Sequence, residues 1–159
     1  MSEGPREEHA AGTGWNAIVR VMDEEECLRL VAQHEVGRIA YNGRYGPTVL
    51  PVNYRLHEGS VVFRTDRDSP LDEDLRTGIG EAEYKVAFEI DDLDPASREG
   101  WSVLIQGSAH HVTDQGECEA VARAGVIPWP GGAKDLFICV RPTRVTGRHI
   151  THPGADRPS

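Results

Sequence analysis

Hydrophobic and polar positions alternate with a period of two through much of this chain. From Tyr84 to Ile90, Val86, Phe88 and Ile90 fall on one side and Lys85, Ala87 and Glu89 on the other. That is the pattern of a strand with one buried face. Val36–Tyr41, Thr48–Tyr54, Val61–Phe63 and Leu136–Pro142 are short apolar runs rich in β-branched residues, each bounded by turn chemistry, and each predicts a strand. Trp101–Ala109, continuing toward Val112, predicts a longer one. Gly107 within it signals a bulge or a close backbone approach. Val145–Ile150 extends the Leu136 strand past a kink at Pro142.

Helical spacing occurs in three places. Leu28 and Val31 follow Asp23, an N-cap with Glu26 three residues on, so Asp23–Gln33 is expected to be a helix with three acids in its first turn. Pro70–Arg76 is a short helix capped by Ser69, and Glu117–Arg123 a third, ended by Gly125. Gly78-Ile79-Gly80 breaks the second and is not a dinucleotide fingerprint, because it does not link a strand to a helix. Turns are expected at Asn42-Gly43 and at His57–Ser60, an acidic loop at Asp91–Gly100, and a loop at Ile127–Gly132. Trp15–Met22 reads as an extended arm, residues 1–14 as a disordered tail and residues 151–159 as a second loose tail. The body, residues 15–150, is then mainly β. About six strands joined by turns and short helices, without regular crossover helices, imply an antiparallel barrel with helices at its ends or sides.

Composition narrows the function. The net charge of −9 argues against a general nucleic-acid binder and against attraction to an anionic membrane surface. No apolar run approaches the ~20 residues of a membrane span, and three widely spaced cysteines imply no disulfide framework. A cytoplasmic protein is expected.

Candidate chemistry is concentrated where the Val61–Phe63 strand ends. Arg64, Thr65, Arg67 and Ser69 place anion-binding donors in one short loop, suited to a phosphate. His110 and His111 are strand neighbours pointing to opposite faces, and His152 lies in the tail, so no metal site and no haem ligation are expected. No Ser–His–Asp or paired-carboxylate arrangement stands out, and no catalytic side chain is nominated.

The order of the motifs carries a resemblance. Glu35–Ala40, Pro51–Tyr54, Val62–Thr65, Ala87–Asp91, Trp101–Val103, Gln106-Gly107 and Arg141–Arg148 together resemble the pyridoxamine 5′-phosphate oxidase-like flavin-binding split barrels, in particular their nitroimidazole-resistance-like branch. The resemblance implies a homodimer of six-stranded antiparallel split barrels with FMN, or alternatively the deazaflavin F420, in clefts between protomers. It implies that Val49, Pro51, Val52, Asn53 and Tyr54 run along the flavin ring. Thr65, Arg67 and Ser69 would meet the phosphate, and Trp101 and Ser102 would lie near the cleft. Two positions depart from the pattern. Relatives place a lysine where this chain has Pro70, and a small glycine-like residue where it has Asp68, which weakens the phosphate grip. The function implied is an FMN-dependent oxidoreductase passing a hydride to or from a small molecule. The alternatives are an F420-dependent reductase or a cofactor-poor binding or sensing module on the same barrel.

Overall fold

The computed structural model describes residues 16–75, 84–123, 125 and 136–152. The N-terminal tail, the Gly78–Gly80 break, the Ile127–Gly132 loop and most of the C-terminal tail lie outside the described residues. The described elements are β1 Ile18–Met22, α1 Glu24–Val31, β2 Val36–Gly43, β3 Gly46–His57, β4 Ser60–Thr65, α2 Pro70–Leu75, β5 Tyr84–Asp94, β6 Glu99–His111, α3 Gln115–Arg123 and β7 Leu136–Thr151. All strand pairings are antiparallel. The order β7-β4-β3-β2-β5-β6 closes through a β6–β7 pairing into a six-stranded barrel, and β1 adds to it along the end of β7. The predicted arm is therefore a seventh strand, Ile18–Met22 running against Thr151–Gly147.

Inward positions fill the barrel. Ile39, Tyr54, Val61, Phe63, Phe88, Ile90, Val103, Ile105, Ile138 and Val140 are buried in one cluster, which supplies the main folding drive. The α1 helix lies over one end and adds Cys27 and Val31. Its start follows the predicted cap, Glu26 N donating to Asp23 Oδ1 at 2.8 Å. The Glu26 carboxylate does not reach back as a capping box would; it takes a two-pronged pair with Arg20 of β1. Gly37 is needed because the Phe88 ring lies on it, 2.3 Å from where a Cβ would stand.

Several boundaries differ from the sequence pattern. Asn42 and Gly43 are paired strand residues, and the turn is Arg44-Tyr45, closed by Gly43 opposite Gly46 at φ +110°. The acidic segment is mostly strand too, because β5 and β6 stay paired out to Asp94 opposite Glu99. Paired strands satisfy backbone groups that a loop would leave to water, which overrides the local acidity. Arg64 and Thr65 belong to β4 and not to the following loop. The α3 helix begins two residues early because Asp114 caps it, accepting from Glu117 N at 2.9 Å. At Thr151 the chain is still strand, and His152 N donates to Glu99 Oε1 at 3.0 Å. Gly107 behaves as expected: the register shifts between Gln106 and Gly107, and an added Cβ would stand 2.0 Å from the Arg141 carbonyl. That bulge also absorbs the kink foreseen at Pro142.

Candidate functional site

The outer face of the barrel carries a groove of about 500 Å³ formed by β2, β3, β5 and β6, with Thr143 of β7 at its margin. The pairing registers explain why it is there. Val49 lies opposite Ala40, Ala40 opposite Ala87, Ala87 opposite Gln106, and Gln106 opposite Arg144. This single cross-strand row runs across the outer surface with two alanines at its centre. Their methyl groups leave a shallow floor where larger side chains would stand up from the sheet. Asn42, Thr48, Lys85 and Ser108 supply polar groups around it. The Tyr84 hydroxyl donates to the Asn42 carbonyl and fixes one end.

One side of the groove is a strand edge with no strand across from it among the described residues. The β3 strand pairs with β2 from Gly46 to Asn53, but with β4 only from Tyr54 onward. Tyr54 N donates to Glu35 O at 2.9 Å on the β2 side. By the alternation of an extended strand, the odd-numbered residues from 47 to 53 turn their backbone polar groups to the opposite edge. Two of these are Pro47 and Pro51, which have no N–H to donate, as suits an edge strand. The N–H groups pointing to that edge are therefore those of Val49 and Asn53.

The residues singled out by sequence divide accordingly. Val49 lines the groove and is 61% exposed. Pro51 and Asn53 continue along the same outward side of β3, whereas Val52 packs against the core. Tyr54 turns inward: its ring stands edge-on to Phe88 at 5.2 Å, and its hydroxyl donates to Val31 O at 2.5 Å. Burial pushes that phenol well above its ordinary range. Trp101 is in the core cluster, edge-on to His34 at 5.0 Å. Ser102 stands between Asp91 and Arg148 in the register. The structure does not bring Tyr54 or Trp101 side chains to the groove.

The two ends of the Thr65–Ser69 loop are tied together. The hydroxyls of Thr65 and Ser69 are 2.9 Å apart, and Ser69 Oγ also accepts from Asp72 N at 3.1 Å. Asp72 is fully buried; it accepts from Asp68 N at 2.7 Å and meets His111 Nε2 at 2.6 Å. Pro70 opens the short α2 helix directly after the Ser69 cap. Asp68 sits at φ +63°, the left-handed region that glycine occupies without cost and that Asp tolerates better than most residues. Arg64 Nε is buried without a hydrogen-bond partner among the described residues, its guanidinium 5.0 Å over the Phe137 ring.

Glu89, two residues beyond Ala87, carries a carboxyl pushed up to about 7. Burial is the largest cause, followed by the hydrogen bond and charge of Asp91, with Arg38 acting against them. Arg38 reaches Glu89 at 3.6 Å and Asp91 at 3.2 Å. The sequence reading missed this cluster, and missed Ala40, Ala87, Lys85 and Gln106. Only the alternation of β5 hinted that Lys85, Ala87 and Glu89 share an outward face.

A family model described as pyridoxamine 5′-phosphate oxidase matches residues 23–149. The uncharacterized protein Rv0080 of Mycobacterium tuberculosis is 36% identical over 131 residues, 81% of this chain and 84% of that protein. Among solved structures, the FAD binding protein from Mycobacterium smegmatis aligns with a TM-score of 0.68 at 29% identity, covering 82% of this chain and 98% of that one. A candidate 5-nitroimidazole antibiotic resistance protein from Bacteroides thetaiotaomicron aligns with a TM-score of 0.59 over 89% of this chain and 96% of that one. At 13% identity that likeness is one of fold.

Proposed function

Because the chain belongs to the pyridoxamine 5′-phosphate oxidase family, matched over residues 23–149, we propose that it binds a flavin, FMN in the first instance, in the outer groove. There it acts as an oxidoreductase on a small molecule. The observation that carries the reading is the alanine-floored row beside the edge of β3 that no strand pairs among the described residues. A flat aromatic ring can lie on Ala40 and Ala87, and the N–H of Val49, turned to that edge, suits an acceptor atom along its rim. Asn42, Lys85, Gln106 and Ser108 offer further polar contacts. The buried Arg64 donor and the Thr65–Ser69 loop are the candidate phosphate ligands. When bound, the flavin supplies the hydride chemistry, and the chain's own residues bind, orient and shield it.

The same face supports a second copy of the chain as the groove's other wall. Val49 and Val36 are exposed at 61% and 38% on the strands next to the β3 edge, which has no strand across from it among the described residues, and Leu104 of β6 is 37% exposed; a partner covers such apolar side chains better than water does. No helix among the described residues is long and apolar enough to cross a membrane, and none of the three cysteines is in a disulfide. We propose the cytoplasm as its compartment, free cysteines being suited to reducing conditions.

A second reading is favoured by one specific observation. The hydroxyls of the phosphate loop bond each other and the α2 backbone, and Asp68 adds a carboxylate there. A barrel that has lost its cofactor and serves as a binding module would look like this. Purified protein titrated with FMN, FAD and F420, followed by flavin fluorescence and sedimentation, separates the readings. Micromolar quenching by one flavin and a dimer mass support the oxidoreductase. A colourless protein that binds none of the three supports the module.

A further inference from the structure

A second cluster lies apart from the groove, under α3. His110 of β6 and Cys139 of β7 are direct register partners, so their side chains leave the sheet on one face about 5 Å apart at Cβ. That face is closed over by α3, where Val62, Val112, Val121 and Cys139 form a small apolar cluster separate from the barrel core. The Asp114 cap fixes the start of α3 and so delivers Glu117 to the same spot. One ligand atom from each of His110, Glu117 and Cys139 lies within 4.8 Å of the other two. His110 Nε2 and Glu117 Oε1 are 3.5 Å apart. Both ring nitrogens of His110 are buried and make no hydrogen bond among the described residues. An imidazole always has polar capacity at both nitrogens, and the groups beside this ring are the Glu117 carboxylate and the Cys139 thiol.

We propose that His110, Glu117 and Cys139 form a transition-metal site, with Zn²⁺ the favoured ion, clasping α3 to the barrel. Thiolate and imidazole ligands select zinc-like ions over magnesium or calcium. Bonds of about 2.0–2.3 Å in tetrahedral geometry place ligand atoms roughly 3.3–3.8 Å apart. The His–Glu pair already has that spacing, and the thiol stands within 4.8 Å of both. Three protein ligands leave a fourth position for water. On binding, the Cys139 thiol gives up its proton to solvent. The sequence offered no signal, because the ligands come from three elements without a ligand-spacing motif, and the eye falls on the adjacent His111, which faces Asp72 on the other side.

The full chain, kept reduced by a phosphine and stripped by dialysis against chelator, is titrated with Co²⁺ and then Zn²⁺. Expected are saturation at one Co²⁺ per chain with a sulfur-to-cobalt charge-transfer band in the near ultraviolet, displacement by Zn²⁺, and a higher unfolding temperature with Zn²⁺. Cys139→Ser should lose the band. Glu117→Gln changes a side chain that is 39% exposed, so it tests the site without disturbing the core, and should weaken Co²⁺ at least about tenfold. Cys118→Ser removes a thiol that donates to Val112 O at 3.3 Å and should leave the band in place. Absence of a saturating band in the unaltered protein overturns the proposal. So does a band that survives Cys139→Ser, or Co²⁺ affinity indifferent to Glu117→Gln. Flavin titration is read independently and bears on neither outcome.

Discussion

The loop after β4 and the groove across β2, β3, β5 and β6 are opposites in how they treat their polar groups. In the loop, Thr65, Ser69, Asp68 and Asp72 answer one another, and His111 closes the set from β6. In the groove, the strand edge of β3 faces outward with no strand across from it among the described residues. A region that is satisfied internally holds the fold, whereas one with backbone groups aimed at an uncovered space is suited to receive a ligand. The loop is rich in donors by sequence, yet the groove has the geometry of a binding surface.

The strongest break of this comparison is Asp72→Ala. It leaves Asp68 N without its acceptor and removes a partner of His111, and the carboxylate it deletes is itself fully buried. The expected loss is about 3 kcal/mol of folding stability in urea unfolding, the usual worth of a charged, buried hydrogen-bond partner. Within the fraction still folded, flavin affinity should fall little if the ring contacts of the groove dominate binding. A stability change within error would show that the loop is not held through Asp72.

Ala87→Phe tests the other region. The side chain faces outward, so the thermal midpoint should hold, while the ring fills the floor beside Ala40. Flavin affinity should fall at least about a hundredfold, or roughly 2.7 kcal/mol, by fluorescence titration. Unchanged affinity would move the site off this face.

The barrel was legible because its strands repeat one simple signal, inward apolar positions at period two, as in Val86, Phe88 and Ile90. The bulge was legible because Gly107 interrupts that signal. The groove was not, since it depends on which strands become neighbours. Ala40 and Ala87 are far apart in sequence, and nothing in either segment tells that they meet at the centre of one row. Tyr54 misleads for a related reason. Its motif places it beside Asn53, but the pleat sends the two side chains to opposite faces, and the phenol finishes on the α1 carbonyl of Val31. The turn at Arg44-Tyr45 was obscured by Asn42-Gly43, whose turn propensity gives way to pairing with Pro47 and Gly46.

Glu89 sharpens the comparison from the groove side through pH. Its carboxyl holds its proton up to about 7, against 4.5 for an ordinary glutamate. The folded state therefore binds this proton more tightly than the unfolded chain does. Its unfavourable effect is absent below 4.5, grows as pH rises to about 7, and stays constant above. Glu89→Gln removes that slope. The gain in melting temperature over the unaltered protein should be small in acid and largest above pH 7, moderated by the 37% exposure of the side chain. A gain independent of pH would show that Glu89 is not the group responsible.

The smallest effect belongs to Asp68→Gly, and it separates the loop's two possible roles. At φ +63° the aspartate holds a conformation that costs an L-residue roughly 1 kcal/mol, and glycine relieves it while its greater freedom in the unfolded chain takes part of that gain back. Stability should rise by no more than about 1 kcal/mol, with the Asp68 backbone bond to Asp72 preserved. Affinity for a flavin phosphate is the more telling readout. If the phosphate sits in this loop, removing the carboxylate beside it should tighten FMN about tenfold, more in low salt than in high, because the repulsion is screened. Riboflavin, which has the same ring and no phosphate, should be indifferent to the change. Equal affinities of both proteins for FMN would place the phosphate outside the loop and leave Asp66–Asp72 a purely structural closure.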